Sequence, residues 1–155
     1  MAQRPAVTRY HWLRLRAACH PTEDQARVDA ALRFVAGVAD EEYAAGLVST
    51  TMETHHGLPL VIAQETLERS RAIRDLLERI VAIPDALATL QSTVAARTDD
   101  DGVFYLRLDK QAAAAGELRL LDGEDAIQVR LKLEVYPSTR AAAIAAVSAM
   151  LAARP

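Results

Sequence analysis

The segment from Ala126 to Tyr136 leaves a folding chain little choice. Ile127, Val129, Leu131, Leu133 and Val135 alternate with Gln128, Arg130, Lys132, Glu134 and Tyr136. Successive side chains of a strand point to opposite faces, so this period of two builds one apolar face and one polar face. A strand of that kind buries its apolar face under helices and needs other strands at its edges. Two more segments carry the pattern. Between Thr8 and Cys19, the residues Leu13, Leu15, Ala17 and Cys19 fall on one side, and Trp12, Arg14 and Arg16 on the other. From Val103 to Leu108, Phe104, Leu106 and Leu108 point inward, Tyr105 and Arg107 outward.

The segments between them read as helices and hairpins. His20-Pro21 stops the first strand. Thr22-Glu23-Asp24-Gln25 then has the form of a capping box, with the Thr22 hydroxyl accepting from the N–H of Gln25. Val28, Ala31, Leu32 and Val35 follow at helical spacing, with Gly37 near the helix end. Leu47 to His56 and Leu60 to Glu65 read as two strands joined at Gly57-Leu58-Pro59. Ile73, Leu76, Leu77, Ile80 and Val81 form one apolar stripe of a helix. Pro84 interrupts it, and Leu87, Leu90 and Val94 continue a second helical segment. Asp109 is placed to cap a short helix, Lys110 to Ala115, closed by Gly116. Glu117 to Leu121 reads as a short strand turned at Asp122-Gly123, and a final helix carries Ile144, Val147 and Leu151 inward. The sequence therefore predicts an α+β fold: a mainly antiparallel sheet with helices packed on one face. The 155 residues fit one domain spanning 1–155, with its core at about 8–151.

Composition narrows the setting. The stretch Ala141 to Ala153 is too short to cross a bilayer, which takes about 20 apolar residues. Met1 to Pro5 leads into polar and basic residues without the apolar core of a secretory signal. Cys19 is the one cysteine, so no internal disulfide forms and a reducing cytoplasm is the expected compartment.

The formal net charge of −3 argues on its own against a nucleic-acid partner. Its distribution argues the other way. The outer faces of the three alternating strands bring Trp12, Arg14, Arg16, Tyr105, Arg107, Arg130, Lys132 and Tyr136 together, provided these strands are neighbours. Acidic residues concentrate elsewhere, at Asp99-Asp100-Asp101 and from Asp122 to Asp125. Arginines for phosphate and exposed rings for unpaired bases are what an RNA platform requires. The plain alternative is a solvated strand face whose long side chains cover the sheet.

No catalytic or metal motif accompanies that face. His55-His56 and Cys19-His20 are adjacent pairs, which a strand sends to opposite sides, and neither has zinc-site spacing. No bound metal and no cofactor is expected. Cys19 lies on an apolar strand face, and no nucleophile elbow or phosphate loop is present.

Three stretches resemble a family of archaeal proteins described as predicted exosome subunits or RNA-binding proteins. Pro21 to Val28 is similar to a Thr-Glu-Asp motif opening the first helix. Glu53 to Leu60 is similar to a strand ending in His-His-Gly-Asn-Pro-Ile, with Leu58 in place of the Asn. Tyr105 to Ala113, followed by Gly116-Glu117-Leu118, looks like an Arg-Phe-Asp-Lys-Gln-Ala-Ala motif, with Leu108 in place of the Phe. The resemblance runs from about Thr8 to Leu151. It implies a fold like that of the ribosomal protein that binds 5S RNA, and a role around RNA processing or decay with RNA and exosome proteins as partners.

Two uses of the third motif stay open. Asp109 caps the helix, or Lys110 beside the free N–H groups seats a phosphate. The reading that results is a non-catalytic RNA-binding protein using Arg14, Arg16, Arg107, Lys110, Gln111, Arg130 and Lys132, with Tyr105 and Tyr136 for stacking. The alternative is an assembly module, such as a homodimer, that uses the sheet face or an edge. An unrecognised hydrolase is the third.

Overall fold

A computed structural model describes residues 8–153; Met1 to Pro5 lie outside them. Five strands, β1 (Tyr10–Cys19), β2 (Leu47–Glu53), β3 (Pro59–Leu67), β4 (Val103–Asp109) and β5 (Ala126–Leu133), form one sheet. Its spatial order is β2-β3-β1-β5-β4, with every neighbouring pair antiparallel. Six helices accompany it: α1 (Gln25–Ala36), α2 (Asp40–Gly46), α3 (Ser70–Val81), α4 (Ala86–Ser92), α5 (Lys110–Ala114) and α6 (Arg140–Ala152). The α+β class read from the alternation is the one observed.

The core is the inner face of the sheet under the helices. Leu13 and Leu15 of β1, Leu106 and Leu108 of β4, and Val129 and Leu131 of β5 are buried against Leu32, Ile73, Leu76 and Ile80. Fully burying such side chains is worth about 1.5–3 kcal/mol each. That gain is why a one-residue slip of register, which would turn every inner residue outward, is excluded. The β2–β3 hairpin differs: β2 is exposed on both faces beyond its first residue.

Four local readings need correction. The cap of α1 is Asp24, not Thr22: Asp24 Oδ1 accepts from Ala26 N–H at 2.9 Å. Among the described residues no bond joins Thr22 and Gln25, and the residue three positions beyond Asp24 is Arg27, which cannot accept from the cap's N–H, so a capping box does not form. Helix α2 was not expected, because only Tyr43 of its seven residues is buried and the apolar period is too short to register. Its signal is the run Asp40-Glu41-Glu42, acidic side chains in a first turn where the helix dipole favours them. Glu117 to Leu121 is not a strand; it reaches the sheet through a single Leu108–Leu120 bridge. Finally, β5 stops at Leu133, so Tyr136 lies beyond the sheet.

One glycine fixes the entry to β2. At Gly46, where α2 passes directly into the strand, a Cβ would lie 2.5 Å from Glu65 Oε1 and 2.6 Å from the Thr66 carbonyl. No larger residue fits between the helix end and β3.

Candidate nucleic-acid interface

Strand order decides whether the polar faces of β1, β4 and β5 form one surface. They do, because β5 lies between β1 and β4. The register aligns Arg14 with Arg130 and Arg130 with Tyr105. The next row aligns Arg16 with Gln128 and Gln128 with Arg107. Lys132 lies opposite Trp12 on one side and Val103 on the other. Five cations, Arg14, Arg16, Arg107, Arg130 and Lys132, thus share the outer face, which no helix covers among the described residues.

Their pairing is incomplete. Arg14 and Arg130 are direct cross-strand partners, an arrangement of like charges that destabilises a sheet unless an anion intervenes. The Arg14 guanidinium stacks on the Trp12 ring at 4.0 Å, and its Nε has no acceptor among the described residues. Arg130 reaches Asp99 at only 3.9 Å. Arg107 has a 3.4 Å contact to the Gly123 carbonyl, and Lys132 donates to the Asp101 carbonyl. Arg16 is exposed and has no ion pair among the described residues. Tyr105 presents its ring at the β4 side, with its hydroxyl donating to the Ala96 carbonyl at 3.1 Å.

Three of the residues expected to contact RNA lie off this surface. Tyr136 is 99% exposed but follows the end of β5. Gln111 lies in the groove between α1 and α5, together with Glu23, Arg27 and Ala114. Lys110 is 1% exposed. Its ammonium donates to the Ala18 carbonyl at 2.9 Å, Glu23 Oε1 at 2.8 Å and Asp125 Oδ1 at 2.6 Å. Three donors meet three acceptors, so no donor is left for a phosphate. The N–H groups at the start of α5 are taken as well: Asp109 Oδ1 accepts from Gln111 at 2.9 Å and Ala112 at 3.1 Å. Of the two uses of the Asp-Lys-Gln segment, the structural one holds.

The same cluster shows a signal that sequence spacing hides. His20, Glu23 and Asp125 converge as a metal site would, but the cation among the carboxylates is the Lys110 ammonium. Burial pushes the Glu23 carboxyl up, and the hydrogen bond and charge of Lys110 outweigh it, so its pKa lies below the ordinary value. Burial pushes Lys110 down, and Asp125 and Glu23 overcome that and raise it. Glu23 of the first motif and Lys110 of the third are therefore one interaction.

The chain is similar to known proteins in sequence and in fold. A family model described as RNA binding matches residues 12–133. RNA-binding protein PAB1135 of Pyrococcus abyssi is 31% identical over 141 residues, 88% of this chain and 90% of that one. Among solved structures, AF2318 from Archaeoglobus fulgidus superposes with a TM-score of 0.78 at 28% identity, covering 92% of this chain and 99% of the other. Mth689 from Methanothermobacter thermautotrophicus gives 0.72 at 28% identity, covering 92% and 98%. Both are described as DUF54 proteins.

Proposed function

The chain belongs to this RNA-binding family, and from that premise we propose that the uncovered face of its sheet is the RNA surface, in a non-catalytic protein accessory to archaeal RNA processing or decay. The observation that carries the reading is the Arg14–Arg130 pair. The two arginines are register partners on adjacent strands; among the described residues the Arg14 Nε has no acceptor, and the one carboxylate near Arg130, Asp99, lies 3.9 Å away. A protein with a net charge of −3 concentrates cations there against electrostatic cost, and an anionic ligand removes that cost. Arg16, Arg107 and Lys132 extend the cationic strip, and Tyr105 and Trp12 supply the aromatic surface beside it. A role near the exosome is supported by the three motifs that resemble predicted exosome subunits. The four histidines are exposed and the Cys19 thiol is buried, which favours binding over chemistry. No helix among the described residues is long and apolar enough to cross a membrane, and a cytoplasmic setting accords with the lone cysteine.

The test is a salt titration of binding to a mixed pool of single-stranded RNA. Five cations meeting phosphates give a slope of log affinity against log salt of roughly −3 to −4. Absence of binding to any RNA at low salt would overturn the reading.

A second reading, assembly of two copies through a sheet edge, is favoured by β2. Among the described residues its outer edge has no neighbouring strand; its one charge is Glu53 at the end, and Val48 is 61% exposed. Natural edge strands usually carry a charge or a proline against such pairing. Sedimentation of the wild type and of Thr50→Lys decides it: a dimer lost in the variant supports this reading, and a monomeric wild type removes it.

A further inference from the structure

We infer that the open face takes unpaired RNA, with bases held against the line of Gln64, Arg16 and Gln128 and phosphates on the guanidinium groups around it. The inference rests on the reading of that face as the RNA surface and adds the class of RNA. One register line crosses all five strands: Val48, Gln64, Arg16, Gln128, Arg107. An arginine thus stands at the middle of the sheet with a carboxamide on each side. Neither amide has a partner among the described residues.

A phosphate needs only donors. A carboxamide offers two donors and an acceptor, the complement of a base edge. Two depressions lie along this line and are made of matching parts. One, about 240 Å³, is bounded by Tyr105, Arg107, Gln128 and Arg130. The other, about 210 Å³, is bounded by Arg16, Val48, Met52, Ile62 and Gln64. Each combines an amide, a guanidinium plane and a flat or apolar wall. Such a site receives a base splayed out of its stack, by stacking and by edge contacts.

Charge at the margins disfavours a duplex. The cationic strip is three strands wide, roughly 10 Å across. The acidic loop borders it at Asp99, 3.9 Å from Arg130, and at Asp101, whose carbonyl accepts from Lys132. Glu42 and Glu68, with Arg69, line the depression on the far side of Arg14. An A-form helix presents two phosphate ridges and buries its base edges in a deep, narrow major groove. Its second ridge would lie over carboxylates, and the amides would find few edges to read. A single strand fits within the strip.

The test is fluorescence anisotropy with a labelled mixed-sequence RNA of about 12 nucleotides. The probe is used alone, annealed to its complement, and as an abasic strand of equal length that keeps every phosphate. The intact strand is expected to bind about tenfold more tightly than either other form, the loss of roughly one stacked base. Gln64→Ala with Gln128→Ala is expected to weaken the intact strand about five- to tenfold, to leave the abasic strand unchanged, and to keep the salt slope. A duplex or abasic strand that binds as tightly as the intact strand would overturn the inference, whatever the variant does. Arg14→Ala with Arg130→Ala separates the two levels. If it weakens every probe while the duplex matches the single strand, the inference fails and the RNA surface stands. If it weakens none, both fail.

Discussion

Lys110 and the arginines of the open face are cations of one protein in opposite situations. Lys110 is buried, and each of its three N–H groups meets an oxygen. Arg14, Arg16 and Arg130 are partly or fully exposed, and their own protein leaves them short of anions. The lesson concerns which cations are available for work. A buried ion pair holds the fold because its desolvation has been met by partners, and breaking it exposes that cost. A group of like charges on an uncovered face does little for the fold and is left for a ligand. Position in a motif does not separate the two cases; burial and pairing do.

Removing Lys110 should show the largest effect. Lys110→Met leaves the Ala18 carbonyl, Glu23 and Asp125 without their common partner. Because Asp125 is half exposed and water reaches it, the expected loss is about 2–4 kcal/mol in a denaturant melt, toward the lower end for a broken buried pair. The contribution of Glu23 is present above its unfolded pKa and is lost as pH falls, since its folded pKa is depressed. The variant's stability should therefore decline less steeply into acid than the wild type's. RNA binding by the folded variant should keep its salt slope.

Glu65 sharpens the comparison from the other side: it is a buried carboxyl with no hydrogen-bond partner among the described residues. The side chain is 0% exposed, on the inner face of β3, and neither carboxylate oxygen has a donor. Burial, reinforced by the charge of Glu42, raises its pKa to about 7. The folded pKa lies above the unfolded one, so stability should fall as pH rises from about 4.5 through about 7. Glu65→Gln removes the ionisation and keeps the shape. It should be more stable than the wild type by about 1–3 kcal/mol at pH 8, with the two converging below about pH 4.5. Melts that differ equally at both pH values would contradict this.

Much of this architecture was legible in the sequence, because period-two alternation states both that a strand exists and which face is buried. The inner and outer residues of β4 and β5 follow it directly. What alternation does not carry is tertiary pairing. Lys110 sits at a helix start, where sequence reasoning gives it a free ammonium; its partners come from residues far away along the chain. Glu65 looks like an ordinary strand glutamate until α2 covers it. That helix has too few apolar residues to announce itself. Tyr136 continues the alternation of β5 after the strand itself has ended. The neighbouring placement of β1, β4 and β5, on which the whole surface depends, is set by chain topology and is not written in any one strand.

A smaller effect tests the one capping residue that sequence and structure assign differently. Asp24→Ala removes the acceptor of the Ala26 N–H and should cost about 1 kcal/mol, while Thr22→Ala should leave the melt unchanged. Equal losses in both variants would restore the capping box.

The central claim is that the under-paired cations of the open face, and not the buried one, meet RNA. The most direct measurement is the salt dependence of RNA affinity for the wild type and for Arg14→Ala with Arg130→Ala. Removing two phosphate-contacting cations should lessen the magnitude of the slope by about 1.4, with stability changed by no more than about 0.5 kcal/mol. A slope equal to the wild type's in a folded double variant would show that RNA binds elsewhere on the protein.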